Sequence, residues 1–138
     1  MEPVTNRSYR LRGTRITPAQ QLARDTLWAK FGIEFQESIL DLTKAFAKPQ
    51  PVVMEIGYGM GEATWQIAKD NPAINYLGVE VHMPGVGKLM SRIEEFELTN
   101  VKLIERDVYE VFHYMIADSA LDGVHLYFPD PWPKKRHF

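Results

Sequence analysis

The sequence predicts an α/β protein with a mostly parallel sheet, because short apolar strands alternate with helical patterns along most of its 138 residues. Two further observations support this class: a glycine-rich turn follows the first strand, and an acid recurs where each successive strand ends. The predicted strands cover residues 52–56, 75–81, 101–105 and 123–128, and the predicted helices cover 62–69, 84–97 and 108–116.

The helix predicted over 84–97 has the clearest amphipathic pattern. Its apolar positions Val86, Leu89, Met90 and Ile93 recur at helical spacing, so they should face the sheet. Before the first strand, Thr17 and Pro18 are a typical cap and first turn of a helix that should reach about Lys30 and stop at Gly32. Residues 33–40 show no clear pattern, and residues 41–47 predict a short helix.

Composition is that of one soluble globular domain, with 45% hydrophobic and 25% charged residues. The absence of cysteine excludes disulfides, thiolate metal sites and a cysteine nucleophile, and it fits a cytoplasmic protein. No apolar run approaches the length of a bilayer span, and the histidines lack metal-ligand spacing. We therefore expect neither membrane insertion nor a metal, and the sequence does not indicate an oligomeric state.

Charge is distributed unevenly, although the net charge is only −2. Residues 1–16 and residues 134–136 carry +3 each, which leaves −8 for residues 17–133. Residues 1–16 are expected to be a basic, mobile arm, and residues 17–138 to be part of one domain. The basic ends are either solvated termini or arms that contact a phosphate backbone, and charge alone leaves both possibilities open.

The glycine-rich turn, Glu55-Ile-Gly57-Tyr-Gly59-Met-Gly61, lies between a strand and a helix. Glycines let the backbone approach a ligand closely, and a helix start adds oriented N–H groups. Many nucleotide-binding folds share this arrangement, so the turn alone does not select a cofactor.

Acids that follow the strands narrow the choice of cofactor. Glu55, Glu80, Asp107 and Asp130 are separated by 25, 27 and 23 residues, each close to one βαβ repeat. Carboxyl ends of parallel strands form the ligand-binding edge of an open sheet. A row of carboxylates there disfavours a pyrophosphate and suits S-adenosylmethionine, which has a sulfonium, an ammonium and ribose hydroxyls. This favours a methyltransferase over a nicotinamide enzyme.

The segment Pro129-Asp130-Pro131-Trp132 follows the fourth predicted strand. Two prolines fix the backbone on either side of Asp130, so one carboxylate and one indole should point outward from the strand end. The alternative is an ordinary proline-rich loop in which Trp132 covers the core. We favour a functional role, because carboxylates and aromatic residues on loops at this edge are typical of sites.

Three segments together resemble the bacterial tRNA (guanine-N(7)-)-methyltransferase family: the glycine-rich turn at 55–61, Leu-Gly-Val-Glu-Val-His-Met-Pro-Gly-Val-Gly at 77–87, and Phe-Pro-Asp-Pro-Trp-Pro-Lys-Lys-Arg-His at 128–137. The resemblance covers about residues 52–138 and the arm 7–17. It implies a Rossmann-like class I methyltransferase fold with helices on both faces of the sheet. It also implies methylation of a guanine in the variable loop of tRNA.

By motif position, the resemblance implies which residues serve the reaction. Asp130 is the implied catalytic residue. Cofactor contacts are implied for Glu55, Gly57, Gly59, Glu80, Asp107 and Asp130, and substrate or RNA contacts are expected for Trp132, Lys134 and Arg136. We expect Glu80 to accept hydrogen bonds from ribose hydroxyls, Asp107 to lie near the adenine amine, and Glu55 to fix the turn or the methionine ammonium.

Two alternatives remain open at this stage. A proline-bracketed acid at this position also serves methylation of exocyclic base amines. Because the family continues with further strands and a C-terminal substrate motif, we expect this chain to be C-terminally truncated, which would allow it to bind cofactor or RNA without turnover.

Overall fold

A computed structural model of the chain describes residues 17–57, 62–81 and 85–126. Its helices are α1 (Pro18–Phe31), α2 (Leu42–Ala45), α3 (Glu62–Asp70), α4 (Val86–Glu95) and α5 (Val108–Met115). Its strands are β1 (Val52–Ile56), β2 (Asn75–Glu80), β3 (Val101–Glu105) and β4 (Gly123–Leu126). The predicted alternation of strands and helices is confirmed, and the bounds of β1 and β3 agree with the prediction.

The four strands form one parallel sheet in the order β3-β2-β1-β4. From β1 the chain steps outward to β2 and then β3, and it returns to the other side of β1 to form β4. The strand order therefore reverses between β1 and β4. In open parallel sheets a crevice forms at such a point beyond the carboxyl ends of the strands, and ligands bind there.

Apolar residues cover both faces of the sheet, because successive side chains of a strand point to opposite sides. On one face Val53 joins a core that α4 supplies with Val86, Leu89, Met90 and Ile93. On the other face Met54 joins a core with Val111 and Met115 of α5 and with Phe46. The predicted three-layer α/β architecture and the inward face of α4 are confirmed.

Helix α1 leads into the residues that pair with the outer edge of β3. It begins with a capping box between Thr17 and Gln20 and ends at Gly32, as predicted. A Cβ atom on Gly32 would lie 2.1 Å from the Trp28 ring, so only glycine fits at this position. The next residue, Ile33, donates its N–H to the carbonyl of Leu103 at 2.8 Å and so pairs with the edge of the sheet.

The edge opposite the carboxyl ends is held by a buried asparagine. The side-chain amide of Asn100, which is 5% exposed, donates to the carbonyls of Ala68, Asn71 and Ile74 at 3.0, 3.2 and 2.9 Å. These carbonyls belong to the end of α3 and the turn into β2. One amide therefore ties the start of β3 to the connection that brings the chain into β2.

Candidate active site

Three of the four predicted acids lie at one edge of the sheet. Glu55 is the fourth residue of β1, Glu80 is the last residue of β2, and Asp107 lies two residues after β3. All three strands are parallel, so these positions meet at the carboxyl edge, as the sequence predicts. Asp130 lies outside the described residues.

The Glu55 side chain is fully buried and is bonded from two directions. The Thr64 hydroxyl of α3 lies 3.1 Å from Oε1 and donates to it. On the other side, Nδ1 of His125 in β4 lies 2.5 Å from Oε2. A buried carboxylate needs such partners, because it has lost the hydrogen bonds that water would supply. Both oxygens of Glu55 are therefore anchored within the fold.

Sheet register explains why His125 reaches Glu55. The two residues are direct partners in the parallel pairing of β1 with β4, so their side chains project from the same face. Helix α3 packs on that face, which places Thr64 against the other carboxylate oxygen. The His125 side chain is 45% exposed, although it belongs to a strand, and it takes part in this cluster.

Glu55 affects the pKa of a tyrosine in the core. Burial raises the pKa of Tyr76, and the nearby carboxylate of Glu55 raises that pKa further, because both disfavour a phenolate. Tyr76 belongs to the core on the α4 face of the sheet. The carboxylate therefore lies on the face of the sheet that α3 and α4 cover.

Gly57 shows why the turn after β1 requires glycine. Its φ angle is 70°, a left-handed conformation that costs about 1–2 kcal/mol for a residue with a side chain. Its N–H points to the carbonyl of Val79 at 3.4 Å, so the chain leaves β1 while still touching β2. The backbone therefore adopts a conformation that favours glycine two residues after Glu55.

Glu80 and Asp107 differ in their surroundings. Glu80 is half-buried at the end of β2, and its carbonyl accepts the N–H of Arg106 at 3.0 Å. Asp107 is exposed, and its side chain accepts the N–H of Tyr109 at 2.7 Å, which caps α5. Asp107 therefore has a structural role at this edge, and its contact with a cofactor stays a prediction.

The remaining predicted site residues lie outside the described residues. They are Gly59, Asp130, Trp132, Lys134 and Arg136. Two residues of this cluster, Thr64 and His125, were not among the predicted site residues. A hydroxyl on the first turn of α3 was a weak indication, and the role of His125 becomes visible only once β4 is known to pair with β1.

Over the described ranges, no group of three or more His, Cys, Asp or Glu side chains is arranged to hold a metal ion. Within the same ranges, no helix has the length and apolar character needed to cross a membrane. The polar groups at the carboxyl edge are carboxylates, a histidine and the backbone at Gly57. This set fits a ligand with hydroxyl and cationic groups, which S-adenosylmethionine has.

The relatives of this chain are methyltransferases by name. A tRNA (guanine-N(7)-)-methyltransferase from Methylobacillus flagellatus is 51% identical over 132 residues, which cover 95% of this chain and 56% of that protein. A protein of the same name from Chromobacterium violaceum is 50% identical over 95% of this chain and 58% of its own length. The chain thus spans about half the length of the curated relatives it matches.

Among solved structures, an rRNA methylase from Streptococcus thermophilus matches 90% of this chain and 59% of its own chain at 18% identity, with a TM-score of 0.46. A family model described as "Putative methyltransferase" matches residues 49–138, and it includes the whole of the described sheet. Because that match covers well over half of the sequence, the chain belongs to this methyltransferase family.

Proposed function

We propose that this protein transfers a methyl group from S-adenosylmethionine to ring nitrogen 7 of a guanine in the variable loop of tRNA, forming 7-methylguanosine. The observation that carries the proposal is the 51% identity, over 95% of this chain, to a protein named for that reaction. Its support from the fold is that Glu55, Glu80, Asp107 and Gly57 lie at the carboxyl edge of a parallel sheet whose strand order reverses beside β1.

S-adenosylmethionine, when bound, supplies a methyl group activated by a sulfonium centre. Glu80 would accept hydrogen bonds from the ribose hydroxyls, and Asp107 would lie near the adenine amine. Gly57 and Gly59 would let the backbone approach the ligand. Glu55 would fix the turn that these glycines form, or the methionine ammonium.

Ring nitrogen 7 of guanine has a lone pair and no proton, so its methylation needs no general base. The protein must instead align the reactants and stabilise charge. The purine becomes cationic as it accepts the methyl group, and the Asp130 carboxylate would stabilise that charge. Trp132 would stack on a base, and Lys134 and Arg136 would bind phosphate.

Replacing Glu80 by alanine is expected to weaken S-adenosylmethionine binding by more than about tenfold, because charge-assisted hydrogen bonds to the ribose would be lost. Isothermal titration calorimetry on the 138-residue chain measures this change, with NAD as the negative ligand. Glu105→Ala is the matched control, since Glu105 lies directly beside Glu80 in the sheet register and is exposed. Unchanged affinity in Glu80→Ala would remove Glu80 from the cofactor site.

The methylated position tests the reaction itself. Bulk tRNA is incubated with the protein and labelled S-adenosylmethionine, then digested to nucleosides and analysed by mass spectrometry. We expect 7-methylguanosine, whereas methylation of an exocyclic amine would overturn the proposed position. The full-length Methylobacillus flagellatus relative serves as a reference for the assay. Cofactor binding without transfer by this chain would support the alternative of a binding fragment.

A further inference from the structure

We propose that His125 is a positioning residue for Glu55. Together with Thr64 it holds the buried carboxylate in one orientation, and it thereby ties β4 to the end of β1. The expected effect on S-adenosylmethionine binding rests on the proposed function. The hydrogen bond itself does not, so the two can be tested separately.

The two carboxylate oxygens of Glu55 have donors on different elements. Oε1 accepts from Thr64 on α3, at 3.1 Å, and Oε2 lies 2.5 Å from Nδ1 of His125 on β4. Removal of either donor would leave one oxygen of a fully buried group without that partner. The orientation of Glu55 thus depends on a helix and a strand that are far apart in sequence.

The chemistry of the pair fixes where the protons lie. An ionised carboxylate only accepts hydrogen bonds, so its partners must supply the protons. With Glu55 ionised, the Thr64 hydroxyl donates to Oε1, and the 2.5 Å contact with Oε2 requires a proton on Nδ1 of His125. In the neutral imidazole this is the Nδ1–H tautomer, with its proton directed at Glu55.

The position of the pair gives it a functional consequence. Glu55 and His125 are register partners across the β1–β4 boundary, which is where the strand order reverses. Two residues after Glu55 the chain turns at Gly57 with a φ of 70°. An anchored Glu55 therefore keeps the start of this turn fixed relative to β4. Loss of the anchor would let the end of β1 and Gly57 shift, and we expect this to weaken cofactor binding.

Two variants of His125 distinguish the loss of the N–H donor from the loss of the imidazole ring. His125→Asn keeps an N–H donor near the position of Nδ1, whereas His125→Leu removes it at similar size. We expect His125→Leu to weaken S-adenosylmethionine binding by about tenfold or more and His125→Asn by less than about threefold. Val124→Leu is the matched control, because Val124 is the neighbouring residue on β4 and is 43% exposed. Equal losses in the Asn and Leu variants would overturn the proposal.

A double-mutant cycle tests whether His125 acts through Glu55. If it does, His125→Leu should weaken binding much less in a Glu55→Gln background than in the wild type, because the charged acceptor is already gone. Equal effects of His125→Leu in both backgrounds would show that His125 acts independently of Glu55. That result would overturn its positioning role.

A measurement without cofactor keeps the proposal testable if the Leu variant does not fold. Long-range ¹H–¹⁵N spectra of the wild-type imidazole should show a protonated Nδ1, whose resonance shifts in Thr64→Val and in Glu55→Gln. An Nε2–H tautomer, or a resonance indifferent to both variants, would overturn the proposal. The expected spectra combined with no binding of S-adenosylmethionine by wild type would leave the positioning role intact and count against the proposed function.

Discussion

Replacing Asp130 by alanine is expected to lower methyl transfer to tRNA by about 10²–10³-fold or more, while the Kd for S-adenosylmethionine changes by less than about threefold. A preorganised group that stabilises transition-state charge typically contributes this much. The sequence around Asp130 suits such a role, because prolines on both sides restrict its backbone. Asp130 also follows β4 in the sequence, and the strand order reverses between β1 and β4.

Single-turnover rates with saturating cofactor isolate the transfer step from binding, and calorimetry gives the Kd separately. Asp130→Asn distinguishes charge from shape, since it keeps the volume and loses the carboxylate. Asp118→Ala is the control, because Asp118 is an exposed acid in the connection before β4, away from the carboxyl edge. An active Asp130→Ala variant would remove this residue from the mechanism. A full-length relative with the matching exchange provides a second host for the same measurement.

Local patterns in the sequence predict most of the fold. Strands β1 and β3 are apolar runs bounded by proline, asparagine or acidic residues, and their ends agree with the structure. The placement of Glu55, Glu80 and Asp107 at one edge also follows from sequence, because an acid after an apolar run marks a strand end. Parallel pairing then brings these ends together.

The interactions that hold the acids were harder to predict, because they depend on which strands are neighbours. Glu55 and His125 are 70 residues apart in sequence, and only the β1–β4 pairing makes them partners. Asp107 could have been recognised as a helix cap from the pattern that follows it. The sequence does not indicate the role of Asn100, since its three acceptors lie about 30 residues earlier, at the end of α3 and in the turn into β2.

Asn100 leads to the second large prediction: Asn100→Asp is expected to lower the free energy of unfolding at pH 7 by roughly 3 kcal/mol or more. The exchange places a carboxylate where an amide now donates to three carbonyl oxygens within 3.2 Å. An ionised carboxylate cannot donate, and at a site that is 5% exposed it gains little from water. Urea unfolding followed by circular dichroism measures the loss.

The pH dependence of this loss tests its cause. Burial and the three carbonyl dipoles raise the pKa of the introduced carboxyl in the folded state above the value of about 3.9 for an unfolded aspartate. Below that value the group is neutral in both states, and a neutral carboxyl can donate one hydrogen bond. As pH rises, the unfolded chain loses the proton first, so stability falls until the folded-state pKa is passed.

We therefore expect the difference between wild type and Asn100→Asp to be smaller at pH 4 than at pH 7. Asn71→Asp is the matched control, because Asn71 is exposed and its amide donates to one carbonyl, that of Ile67 at 2.8 Å. Its loss should be about 1 kcal/mol and should vary little with pH. An equal loss for Asn100→Asp at both pH values would mean that the missing N–H donors, and not a buried charge, cause the instability.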